Sequence, residues 1–103
     1  MNDGFEKLRD AIRQNKYIIK QHAKQRMGER QASGAEMSDV IINGDMIEET
    51  SDAFPFPQYL FMKLVRDGEP LYVSVAFDGE LAYIITVHWY DPGKWIDPWT
   101  RKR

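Results

Sequence analysis

Two Asp-Gly steps, Asp67-Gly68 and Asp78-Gly79, each join two apolar runs and constrain the fold of this chain more than any other feature. Asp-Gly suits a two-residue hairpin turn because both central positions take positive φ, which glycine adopts freely and aspartate tolerates. The steps predict a meander of three antiparallel strands at residues 58–66, 69–77 and 80–90. With two-residue turns the register follows, and one face carries Leu60, Met62, Leu64, Leu71, Val73, Val75, Ala82 and Ile84, continuing to Thr86, His88 and Tyr90. This aliphatic face is expected to receive the helices. The other face carries Tyr59, Phe61, Lys63, Tyr72, Ser74, Leu81, Tyr83, Ile85, Val87 and Trp89; it is aromatic, and little of the chain is left to cover it.

The first half reads as helices. Phe5, Leu8, Ala11 and Ile12 recur at three- and four-residue spacing, which predicts an opening amphipathic helix. Tyr17-Ile18-Ile19 reads as a short strand or, in preference, as the entry to a second helix over residues 20–29, in which Ile19, Ala23 and Met27 face the core. His22, Arg26 and Arg30 repeat at the same interval one step round the surface and form a stripe at the edge of the buried face. Ser33 and Glu36 match a capping box, Met37, Val40 and Ile41 follow as core positions, and Asn43-Gly44 ends that helix. Residues 46–50 read as an edge strand. The Phe54-Pro55-Phe56-Pro57 loop must be extended, and its aromatics suit a lid, a partner contact or, in preference, a plug over the core. After the meander, Asp91-Pro92 and Asp97-Pro98 bracket an expected turn of helix containing Lys94 and Trp95. The whole is expected to be one α+β domain over residues 1–103, with N-terminal helices packed on one face of an antiparallel sheet.

Composition narrows the function classes. A chain of 103 residues buries roughly two thirds of its unfolded surface, enough for a core without staples. There is no cysteine, so neither a disulfide nor a thiolate metal site is available, and a reducing cytoplasm is the expected compartment. The N-terminal residues lack a secretory layout, and no apolar run approaches the roughly 18 residues that cross a bilayer. Net charge is −2 but uneven: residues 1–30 hold eight Lys/Arg against four Asp/Glu, residues 31–58 none against six, and the remainder six of each. The basic first part, with the tail Arg101-Lys102-Arg103, suits phosphate; the acidic whole argues against strong general nucleic-acid affinity.

His22 and His88 are the two histidines, and imidazole is the side chain whose ordinary pKa lies near neutrality. His22 borders a helix expected on the aliphatic face and His88 lies at the far end of that face, so the two are expected to converge. Arg26 and Arg30 add planar cations that grip phosphate bidentately, and Tyr90 and Lys94 lie just past His88. Base, acid and charge clamp are what metal-free cleavage of an RNA phosphodiester requires. The plainer alternative makes the histidines structural, pairs the arginines with Glu29, Glu48 or Glu49, and lets Lys63 snorkel past Tyr72. A zinc site is a poor fit to two histidines and no cysteine, and glycine-rich nucleotide loops are absent.

The run IKQHAKQRMGER at residues 19–30, the Ser33 helix start, Asn43-Gly44, Ile47-Glu48-Glu49 and the closing ITVHWYDP with Lys94-Trp95 resemble a bacterial family of domains of unknown function. The resemblance covers about residues 16–97. That family is distantly similar to the BrnT, MqsR and RelE toxins, small α+β ribonucleases encoded beside antitoxins. The resemblance implies helices on an antiparallel sheet, metal-independent mRNA cleavage without a cofactor, and a zinc-finger antitoxin as partner. The His22-Arg26-Arg30 pattern and residues 90–95 carry the match to the nearer family, whereas the toxins' catalytic lysines have no mapped counterpart. The expectation is therefore a toxin-like ribonuclease, with His22 or His88 as base or acid, Arg26 and Arg30 as clamp, and Tyr90 and Lys94 assisting. Its rival is a non-catalytic module that binds a protein, or a second copy of itself as a homodimer, through the aromatic face and the Phe54-to-Pro57 loop.

Overall fold

Alternating apolar side chains along residues 58–89 give strands with two faces to cover, and the helices of the first half cover one of them. In the computed structural model, which describes residues 3–102, α1 (Asp3–Arg13), α2 (Gln21–Arg30) and α3 (Gly34–Asn43) pack on one face of a five-stranded sheet. Strands β1 (Tyr17–Ile19), β2 (Asp45–Thr50), β3 (Gln58–Val65), β4 (Glu69–Phe77) and β5 (Ala82–Trp89) stand in the order β1-β5-β4-β3-β2. All neighbours are antiparallel except β1 and β5. A hairpin of β6 (Trp95–Asp97) and β7 (Thr100–Arg101) follows. The fold is α+β, as the sequence predicts, with a larger and mixed sheet in place of a bare meander. Among the described residues no helix is long and apolar enough to cross a membrane. Arg103, the end of the basic tail, lies outside the described residues.

The predicted faces are exchanged for part of the sheet, for two local reasons. Val65 pairs with Glu69, so the first turn holds three residues, Arg66 to Gly68, with Gly68 at φ 80°. The extra residue moves β3 by one position against β4, and because side chains alternate, Tyr59 and Phe61 join Leu71, Val73 and Val75 under the helices while Leu60, Met62 and Leu64 turn away. The second turn is longer too, with Phe77 opposite Ala82, but it is longer by two and leaves Ala82 and Ile84 on the helix side as predicted. Within β5, Val75 pairs with Ile84 and Ser74 with Thr86, so Ile85 is bulged out. Beyond the bulge Val87 and Trp89 face the helices, and Thr86, His88 and Tyr90 do not. Lys63 also lies on the helix side, its ammonium 2.9 Å from Asp39 of α3, and not beside Tyr72.

Two further expectations are corrected. Tyr17–Ile19 is a strand: its β-branched residues extend along the edge of β5, pairing with Ala82, Tyr83 and Ile84. Residues 95–101 form a hairpin and not a helical turn, and this hairpin covers the second face of the sheet. Trp95 is 1% exposed and packs with Leu60, Met62 and Tyr72; the Tyr72 hydroxyl donates to Pro98 O at 2.6 Å, Trp99 Nε1 donates to Asp45 at 3.1 Å, and Arg101 meets Glu48 through two bonds of 2.9 and 3.0 Å. At the other end of this face Phe56 stacks on Tyr83 at 5.8 Å, whereas Phe54 is 92% exposed. The face predicted to be open is thus covered at both ends by the chain itself.

The helices are fixed by side chains on their orphan backbone groups. Arg9 of α1, half-buried over Phe5 and Phe61, donates to Ile41 O and Gly44 O at 2.8 and 2.7 Å and so closes the end of α3. Ser33 and Glu36 form the predicted capping box, each accepting at 3.0 Å from the other's amide. Arg66 then binds the Glu36 carboxylate at 2.5 and 2.6 Å, donates to Gln31 O, and lies over the Trp89 ring.

Replacing Gly44 by alanine would put a Cβ 2.6 Å from Met62 O and closer still to Val40 O. The expected loss is about 1–3 kcal/mol of unfolding free energy, read by urea denaturation, because both obstacles are backbone. Ser33→Ala is expected to cost about 1 kcal/mol through the lost cap. The Arg66 bond first, then the Ser33 amide, holds the Glu36 carboxyl down to about 2 from an ordinary 4.5. Its contribution is complete above the ordinary value and fades as pH falls toward 2, so Glu36→Gln should flatten the acid limb of the stability curve.

Candidate active site

Three-residue β1 leaves the outer edge of β5 unpaired from Ile85 onward, and the end of α2 takes the place of a strand there. Arg30 Nη1 donates to Val87 O at 2.8 Å, and Trp89 Nε1 donates back to Arg30 O at 2.8 Å. Ala23 and Met27 anchor α2 in the main core, which turns His22, Arg26 and Arg30 toward the margin of the sheet. On the opposite side of that margin stand His88 and, from the C-terminal segment, Lys94, Trp95 and Arg101.

Between them lies a cleft of about 390 Å3, lined by His22, Arg26, Arg30, Thr86, His88, Trp89, Asp91, Lys94, Trp95 and Arg101. The structure therefore brings five of the six predicted site residues to one cleft, although His88 reaches it from the face opposite the helices and not along the shared face expected from two-residue turns. Tyr90 is the exception. Its hydroxyl donates to Trp95 O at 3.3 Å, its ring packs in the second core, and it does not line the cleft.

Four permanent cations face one lining carboxylate, Asp91, which itself accepts from Gly93 N at 2.8 Å. Arg26 is paired with Glu29 at 3.1 Å and Arg101 with Glu48, but Arg26 and Arg30 are each bonded through Nη1 alone among the described residues. Lys94 and His22 have no side-chain hydrogen bond or ion pair there. The cleft is thus an electropositive spot on an acidic chain. Among the described residues no group of three His, Asp or Glu side chains is placed to hold a metal ion.

His88 is the most constrained of the lining groups. Its ring stacks on Tyr72 at 5.0 Å and 7°, and Tyr72 stacks in turn on Trp95 at 4.6 Å. Burial first, and then the positive charges of Arg30, Lys94 and Arg101, push the imidazole below its ordinary 6.5 despite the Trp89 carbonyl, which pulls the other way. That carbonyl lies 3.3 Å from Nδ1 and can only accept, so the proton belongs on Nδ1 and the lone pair on Nε2. A neutral imidazole beside several cations can take a proton from a hydroxyl while the cations hold an anion. The Tyr72 hydroxyl, raised to about 12 chiefly by burial, stays protonated and serves as a donor to Pro98 O.

Arg101, Trp95, Thr86 and Asp91 were not singled out as site residues in the sequence. Arg101 carried one signal, its place in a basic tail; only the hairpin that folds Trp95 under it, with the guanidinium 4.6 Å above the indole, brings it to the cleft. Trp95 Nε1 is buried and has no hydrogen-bond partner among the described residues.

By proton NMR, His88 is expected to titrate below 6.5 with Nε2 as the unprotonated nitrogen at neutral pH. Since the folded value is the lower one, protonating His88 opposes folding, and stability should fall as pH drops through and below 6.5; His88→Gln should remove that component. A His88 midpoint above 6.5 would contradict the assigned environment.

No curated protein and no solved structure matches the chain. Residues 19–89, from β1 to the last residue of β5, match the family described as Domain of unknown function (DUF4258), and the span takes in α2 and the β5 bulge while stopping short of the C-terminal hairpin. The chain belongs to that family.

Proposed function

We propose that the cleft cleaves single-stranded RNA without a metal ion, and that the chain is a ribonuclease of the toxin type that acts with an antitoxin partner. The observation that carries this reading is the single cleft lined by the half-buried His88, whose pKa is pushed down, a second imidazole and four cations. His88 Nε2 takes the proton of a ribose 2′-hydroxyl, and that oxygen attacks the adjacent phosphorus. Arg26 and Arg30, each bonded to the protein through one nitrogen, hold the phosphate oxygens as charge builds on them. The P–O5′ bond breaks, and His22 or Lys94 gives a proton to the departing 5′ oxygen. The products are a 2′,3′-cyclic phosphate and a 5′-hydroxyl, with atoms and protons balanced and no oxidant or cofactor involved.

The rival reading, a binding module built on an open aromatic face, finds less support. Tyr72 and Trp95 are buried against each other by the chain's own hairpin, and Phe56 covers Tyr83.

The test is cleavage of a single-stranded RNA by the purified protein in the presence of a chelator. His88→Ala is expected to lose about 10²–10⁴ of the rate. With wild type the rate should climb with pH through the depressed His88 value, as the imidazole base loses its proton. In cells, induced wild type should arrest growth with loss of RNA, and His22→Ala and Arg26→Ala should not. Unchanged RNA at every pH, or equal rates for wild type and His88→Ala, would contradict the proposal.

A further inference from the structure

The cleft does not end at His88. A second hollow of about 240 Å3 adjoins it on the same sheet face and shares Thr86, His88 and Arg101 with it. The register builds its floor: Glu48 pairs with Leu60, Leu60 with Ser74 and Ser74 with Thr86, a single row across β2, β3, β4 and β5, with Thr50 opposite Gln58 in the next row. The C-terminal hairpin covers the sheet on one side of this row and Phe56 covers it on the other, so the row is the floor of a groove.

Two observations say what the groove is suited to. Its chemistry differs from that of the cleft: the cation it contains, Arg101, is neutralised by two bonds to Glu48, so the groove offers little to a phosphate. It is instead lined by uncharged groups that both donate and accept, and the side chains of Thr50, Gln58, Ser74 and Thr86 make no hydrogen bond among the described residues. Gln58, Ser74 and Thr86, half-buried on this sheet face, and Thr50, exposed at its rim, are available to a ligand with a polar edge. The groove has room for one planar ring system, which would slide in beside His88 while an attached phosphate rests among the cations next door.

We propose that this groove is a nucleobase subsite and that Gln58, Ser74 and Thr50 read the edge of one base of a single-stranded RNA. The proposal rests on the nuclease reading of the adjoining cleft, and it makes that enzyme selective for the base at one position. Gln58 is the main reader, since its amide presents a donor and an acceptor side by side, the pattern that discriminates among base edges. Duplex RNA is excluded, because a paired base has that edge occupied and stacked within the helix.

The experiment titrates the four nucleoside 3′-monophosphates and ribose 5-phosphate into the full chain, following backbone amides and the Gln58 side-chain amide by NMR. At least one nucleotide is expected to bind about tenfold tighter than ribose 5-phosphate and to shift the Gln58 amide. Gln58→Ala should bring that nucleotide to the affinity of ribose 5-phosphate, whose own binding stays unchanged; Thr50→Val and Ser74→Ala give the same reading independently. Four nucleotides that bind like ribose 5-phosphate, or a Gln58 amide that does not move, would overturn the subsite. Discrimination without RNA cleavage would sustain the subsite and remove the nuclease, whereas cleavage indifferent to base would do the reverse. Absence of binding by every probe would overturn both.

Discussion

Ile85 has no partner of its own on β4: Ile84 lies opposite Val75, and Thr86 lies opposite Ser74. Because strand side chains alternate, one bulged residue reverses the facing of everything after it. Val87 and Trp89 are thereby turned under the helices to complete the main core, and His88 is carried to the other face of the sheet. Without the bulge His88 would be aimed at the helices, where Val87 now packs. The environment of the imidazole follows from this one irregularity: its stacking on Tyr72, its burial, and its nearness to the C-terminal cations.

The same strand supplies the other half of the cleft by being left unpaired. Parallel pairing with β1 stops at Ile84, so the polar edge of β5 beyond that point would face solvent, an exposed template for another strand. The last turn of α2 occupies that edge through the Arg30 and Trp89 bonds and brings its cationic stripe with it. Arg30 is accordingly both a structural tie and a lining residue. Its tie is made to a backbone carbonyl through one nitrogen, and the rest of the guanidinium remains for an anion.

Much of this was legible in the sequence and some of it could not have been. The helices and their limits followed from apolar spacing and from Ser33, Glu36 and Gly44, because those signals are local and act within one turn. The stripe of His22, Arg26 and Arg30 was likewise a matter of helical period. Register was different: Asp67-Gly68 marks a turn but does not say whether it holds two residues or three, and that single residue decides whether Phe61 or Met62 faces the helices. Nothing at Ile85 announces a bulge, since isoleucine suits a regular strand equally well. The two histidines were expected to meet on one face, and they line one cleft from opposite sides of the sheet margin. The C-terminal hairpin also escaped, because its stability comes from distant partners, Glu48, Asp45 and Tyr72, and not from its own short strands.

The proposed chemistry requires His22 and His88 to belong to one anion-binding cleft. The direct measurement titrates a 2′-deoxy dinucleotide, which lacks the attacking hydroxyl, into the protein while both imidazole rings are followed by NMR. The two rings are expected to shift together along one saturation curve with one dissociation constant. A ring that stays still while the other saturates, or two curves with separate constants, would contradict it.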